Sequence, residues 1–145
     1  MTSSFEFAGL LGSVPNALLG TGVDEAAIAD AVSVVGTLPE GYRQFLREVG
    51  WAMFGGTAVW GLGDGFPYEQ SFVQMTLDER NEYGLPDDLV AFSNNGAGDL
   101  LCFQAKRDGT RSEEVFVHLH ETRATKREAD SFTEWIQTRA EAARG

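Results

Sequence analysis

The sequence predicts an α+β domain with a largely antiparallel sheet, and three observations lead there. Helical patterns open and close the chain without the strict strand-helix-strand alternation of a doubly wound fold. Two apolar runs flank KRDGTR with the alternation of a β-hairpin. The 145 residues are 43% hydrophobic and 11% aromatic, enough for one ordinary core. No internal repeat, low-complexity tract or linker divides them, so one domain is expected over 24–145, with residues 1–23 as an N-terminal arm or a first small helix.

Asp24 offers an N-cap, and Ile28, Ala31, Val32 and Val35 follow at helical spacing before Gly36 closes the segment. In TLPEGYRQFLREVG, Pro39 is read as the first helical residue and Glu40 complements the dipole. Leu38, Tyr42, Phe45, Leu46 and Val49 make one stripe there, and Gly50 ends the helix. WAMFGGTAVWGLGDGFP reads as one strand around Thr57, Val59 and Trp60 with tight turns at each end. Gly61, Gly63 and Gly65 do not make a dinucleotide loop, because that loop runs directly into a helix and Phe66-Pro67 does not.

Thr76 and Glu79 are read as a capping box for a short helix that Gly84 stops. Leu85-Pro86-Asp87-Asp88 turns the chain into the strand LVAFS. In the hairpin, Leu101, Phe103 and Ala105 share one face of the first arm, and Val115, Val117 and Leu119 one face of the second. Ser131 and Glu134 cap a last helix whose stripe is Phe132, Trp135, Ile136 and Ala140. Burying each of its large side chains contributes roughly 1.5–3 kcal/mol, which makes that helix part of the core.

Charge narrows the function. Eleven basic residues against 22 acidic leave a net charge of −11, which argues against nucleic acid as a direct ligand. The excess concentrates between residues 64 and 99. Asp64, Glu69, Asp78, Glu79, Glu82, Asp87, Asp88 and Asp99 stand there against Arg80 alone, a net −7. Such a field steers a basic protein toward the chain, although it also serves plain solubility. No membrane span is expected, and the N-terminus lacks the basic region of a secretory signal, so the expected site is the cytoplasm. A single cysteine, Cys102, excludes an internal disulfide.

SNNGAGDLLCF, residues 93–103, poses the question of a ligand loop. Asn94, Asn95, Gly96 and Gly98 are what a sharp turn between strands requires. A calcium loop would extend its oxygen ligands to a glutamate, and a phosphate cradle would lead into a helix or carry a lysine. The turn is the better reading, with Asp99 expected to cap its backbone N–H groups. A second constellation is Cys102 with His118 and His120, which would share a strand face. With Asp99 or Glu121 these could form a zinc set, and Cys102 with His118 could form a thiol-base pair. Hydrogen-bonded or solvated histidines are the plainer reading, and a strongly acidic chain offers little to activate a thiol. Neither a metal, a cofactor nor a catalytic residue is therefore expected.

LPEGYRQFLREVG, WGLGDG, LPDDLVAFSNNGAGDLLCF, EEVFVHLHE and SFTEWI, in that order over about residues 24 to 138, resemble the SUKH superfamily. That superfamily includes yeast cell-wall-assembly regulators and bacterial immunity proteins of polymorphic toxin systems. The first motif departs from the usual form, since Gly50-Trp51-Ala52-Met53-Phe54 intervenes before Gly55-Gly56. The resemblance implies a cytoplasmic binding module without catalysis, which in bacteria neutralises a cognate toxin such as a nuclease. The expected contact is Asp64, Glu69, Asp78, Glu79, Glu82, Asp87 and Asp88, with Phe66, Tyr68, Phe72 or Tyr83 as aromatic anchors. A regulatory scaffold binding a non-toxin protein is the alternative, and an enzyme using Cys102, His118 and His120 the outsider. Oligomeric state stays open.

Overall fold

A computed structural model describes residues 6–65, 71–105 and 112–144. Among the described residues, five helices and a seven-stranded sheet make one α+β domain, and every strand pairs antiparallel with its sequence neighbour in the order β1 to β7. The helices are α1 (Phe7–Gly12), α2 (Glu25–Val35), α3 (Glu40–Glu48), α4 (Phe72–Tyr83) and α5 (Phe132–Arg144). The strands are β1 (Leu18–Leu19), β2 (Ala52–Phe54), β3 (Thr57–Val59), β4 (Leu89–Asn94), β5 (Leu100–Gln104), β6 (Val115–His118) and β7 (Thr125–Ala129).

Aromatic packing holds one face of the sheet to the helices. The expected stripes of α3 and α5 are buried, and their rings meet Phe92 of β4 and Phe103 of β5. Tyr42 is the hub: the rings of Phe45, Phe72, Phe92, Phe103 and Phe132 lie 4.9–5.9 Å from its own. Its buried hydroxyl donates to the Trp60 carbonyl at 2.6 Å, so the phenol is satisfied inside an apolar cluster. Phe7 and Leu11 of α1 are also fully buried. The Glu48 carboxylate of α3 accepts from the Phe7 N–H at 2.8 Å and the Ala8 N–H at 3.3 Å, supplying the cap that Glu6 does not.

Several expectations are corrected. Pro39 takes the N-cap rather than the first helical position, with ψ at 148°. The single strand expected in 51–67 is a hairpin, β2 and β3, turning at Gly55-Gly56 with Met53 opposite Ala58. Both of those glycines have positive φ, the conformation a two-residue hairpin turn requires. In WGLGDG, a Cβ on Gly61 would run into the Gly50 carbonyl oxygen, while Gly63 and Gly65 take positive φ. Sequence reading also passed over β7, whose exposed Thr125-Lys126-Arg127-Glu128 lacks any apolar alternation. That composition suits a sheet edge, where charge discourages pairing with another chain.

Helix α4 departs most from expectation. Its N-cap is Ser71, whose hydroxyl accepts from the Gln74 N–H at 3.2 Å; Thr76 lies a full turn inside and is fully buried. The Thr76 hydroxyl accepts from the Ala91 N–H at 3.0 Å and donates to the Ala91 carbonyl at 3.2 Å. One turn on, Arg80 Nη2 donates to the carbonyls of Leu89 at 3.0 Å and Asp87 at 2.8 Å. Among the described residues β3 and β4 pair through Val59 and Ser93, and the first half of β4 meets no strand on that side. Thr76 and Arg80, four apart on one helix face, complete that edge in place of a strand. Gly84 closes α4 in the left-handed conformation, as expected.

Candidate functional site

The expected contact residues distribute around α4. Asp78, Glu79 and Glu82 lie on the helix, Asp87 and Asp88 are exposed in the turn that follows, and Asp64 is exposed in the loop after β3. Phe66, Tyr68 and Glu69 lie outside the described residues. Phe72 is corrected: it is fully buried, edge-on to Tyr42 at 5.3 Å, and belongs to the core. Tyr83 is 65% exposed.

The carboxylates do not form one flat patch. Asp87 and Asp88 border a groove between α2 and α4 that Val34 and Leu77 also line. Glu79 faces a different groove, of about 390 Å³, bounded by the end of α4, Leu100 of β5, His118 of β6 and Arg123 of the β6–β7 turn. Half-burial pushes the Glu79 carboxyl above its ordinary pKa, and the like charges of Glu82 and Asp78 add to the shift. Arg123 adopts a left-handed backbone, with φ at 65°, and its Nη2 donates to the Gly84 carbonyl at 3.2 Å. A guanidinium there complements the negative end of the helix dipole and ties the β6–β7 turn to α4. The sequence held no signal for this role of Arg123, which depends on a turn bringing residues 84 and 123 together.

Residues 94–99 form a turn between β4 and β5. The Asn94 side-chain carbonyl accepts from the Gly96 N–H at 3.0 Å, and that of Asn95 from the Ala97 N–H at 2.9 Å and the Asp99 N–H at 3.3 Å. The asparagines do the capping expected of Asp99. Asp99 instead accepts from the His120 backbone N–H at 3.0 Å, meets His120 Nδ1 at 2.7 Å, and accepts from Asn95 Nδ2 at 3.0 Å. Those contacts, the Asn95 amide first and His120 next, hold the Asp99 carboxyl down at about 2.

The histidines do not share a strand. β6 ends at His118, whose Nδ1 lies 3.1 Å from the Thr125 hydroxyl, while His120 has passed into the turn. Cys102 pairs with Phe116 and His118 with Leu100, so thiol and imidazole are offset by two pairs along the strands. Burial, reinforced by the Glu79 charge, pushes the Cys102 thiol far above its usual range. Burial, with Arg123, lowers the His118 pKa. Among the described residues no three His, Cys, Asp or Glu side chains gather as a metal site would require.

A family model described as SMI1-KNR4 cell-wall matches residues 14–141. The chain belongs to the SUKH family. That match covers both strands of the unexpected hairpin, all of α4 and the groove beside it, so the features above lie within the family's own domain. No curated protein matches the chain. Among the described residues no helix of this SUKH domain is long and apolar enough to cross a membrane.

Proposed function

We propose that this SUKH protein is a non-catalytic binding module of the cytoplasm that engages a protein partner with a basic surface, and that the partner is a cognate bacterial toxin. One observation carries the reading. Asp78, Glu79 and Glu82 of α4 and the exposed Asp87 and Asp88 of its following turn, five carboxylates in eleven residues, have Arg80 as the one cation within residues 64–99. Counting Arg80, the region still carries a net −7, so its field stays negative. It attracts a basic cleft, such as a nuclease presents, and repels nucleic acid and anionic lipid. Neither cofactor nor metal enters this function.

The test is capture of the protein encoded beside this gene, followed by rescue from its toxicity. Changing Asp78, Glu82, Asp87 and Asp88 together to lysine is expected to slow association about tenfold or more at low salt, since charge acts mainly on the on-rate. The salt dependence of association should flatten at the same time. An unchanged rate and an unchanged salt dependence would move the contact to another face. The cell-wall wording of the matched family favours a second reading, a regulatory scaffold for a non-toxin protein. A neighbouring gene that encodes no toxin, together with binding but no rescue, would select it.

A further inference from the structure

The groove at the end of α4 combines features that a plain surface crevice lacks. Its floor is apolar, from Leu85 and Leu100, both buried. Glu79 stands at its wall, half-buried, with no hydrogen bond or ion pair to its side chain among the described residues. The charges of its own helix that act on it, Glu82 and Asp78, have the same sign, and Arg80, next in the chain, is bound to the carbonyls of Asp87 and Leu89. The cation across the groove, Arg123, is bound to the Gly84 carbonyl. Asp99, also negative, is held by Asn95 and His120. Tyr83 stands at the rim with most of its ring in solvent.

We propose that this groove receives one basic side chain, an arginine or a lysine, projected from the surface of a protein partner. Its aliphatic stem would lie on Leu85 and Leu100, its charged head would meet Glu79, and the Tyr83 ring would cover it. Long cationic side chains bury their stems while keeping the head in a polar setting. A cation over a tyrosine face gains further attraction, more when both are desolvated. The carboxylate gains as well, because a half-buried charge without a counter-ion is the state that an incoming cation relieves. Buried arginine anchors commonly dominate interface energy. The inference rests on the protein-binding reading above and narrows it to one pocket.

The groove can be tested without the partner, so failure here and failure of that reading are distinguishable. Labelled protein is titrated with N-acetyl-arginine methylamide while amide shifts are followed by NMR. Saturable shifts confined to the surroundings of Glu79, Leu100 and His118 are expected, with dissociation constants in the millimolar range, about what one anchoring side chain supplies. Glu79→Gln should weaken binding about tenfold, and Tyr83→Ala severalfold. Should Glu79→Gln disturb the fold, visible as shifts throughout the spectrum, the exposed Tyr83→Ala carries the comparison. The lysine analogue should bind the same site. Equal binding of the norleucine analogue would show only an apolar crevice, and preference for the glutamate analogue an anion site on Arg123; either overturns the proposal. So would the absence of saturation, or identical binding by both variants.

Discussion

Thr76 shows how one hydroxyl can serve as a strand. It gives and takes a hydrogen bond at the backbone of Ala91, in a fully buried position. Valine has nearly the same shape and neither bond, so Thr76→Val strands an N–H and a carbonyl inside the protein. Each such orphan costs about 1–3 kcal/mol, and the expected loss in urea unfolding is of that order or somewhat more. Thr76→Ser, which keeps the hydroxyl, should recover most of it. Equal losses for both would mean that the methyl, not the bonds, matters. Asp99 gives a residue-scale prediction in pH. Its carboxyl is depressed from 3.8 to about 2 in the folded protein. The contribution is therefore complete above the unfolded value and disappears as pH falls through the folded one. The stability gap between wild type and Asp99→Asn should be constant above about pH 5 and narrow progressively from about pH 4 down through about pH 2. A gap as wide at pH 2 as at pH 5 would refute the assignment.

At the scale of elements, the N-terminus of α4 separates two accounts of the same sequence. If Ser71 is the cap, Ser71→Ala costs about 0.5–2 kcal/mol, and the loss appears without change in the far end of the helix. Denaturant unfolding of that variant, with hydrogen exchange of the first-turn amides, checks it; a neutral effect would leave the helix start uncapped. Sequence reading put the cap at Thr76 because a threonine three residues before a glutamate has the same signature wherever its hydroxyl points. The long-range bond to Ala91 is invisible in the local pattern. Helices α2, α3 and α5 were legible because their stripes repeat at helical spacing and their ends carry Asp24, Pro39 and Ser131. The hairpin of β2 and β3 was read as one strand because three-residue strands are too short to show alternation. For β7 there was no apolar signal to read. The candidate site was legible as composition, the acidic run of 64–99, but not as shape. Glu79 and Asp87 are on one short stretch yet border different grooves, because α4 turns one toward β5 and the other sits past its end.

At the scale of the molecule, the net charge of −11 must be carried by a single small domain. Its ion pairs among the described residues are exposed or half-exposed, as with Arg47 bridging Glu25 and Glu40, and Arg127 bridging Asp130 and Glu114. Such pairs contribute about 0–1 kcal/mol each and weaken with salt. Repulsion among the surplus carboxylates weakens with salt too, and it acts over longer distances, where screening bites hardest: the Debye length falls from about 30 Å at 0.01 M to about 10 Å at 0.1 M. Repulsion therefore dominates the response, and added sodium chloride should stabilise the fold. Relief of roughly 1 kcal/mol would raise the thermal midpoint by about 2–4 °C between 10 and 150 mM. Removing part of the surplus with Glu82→Gln, Asp87→Asn and Asp88→Asn should raise the midpoint at low salt and flatten its rise. A midpoint that falls with salt would mean the exposed pairs outweigh the surplus. The same carboxylates would then be held in place by neighbours rather than left open to a partner, and the proposed attraction of a basic surface would lose its source.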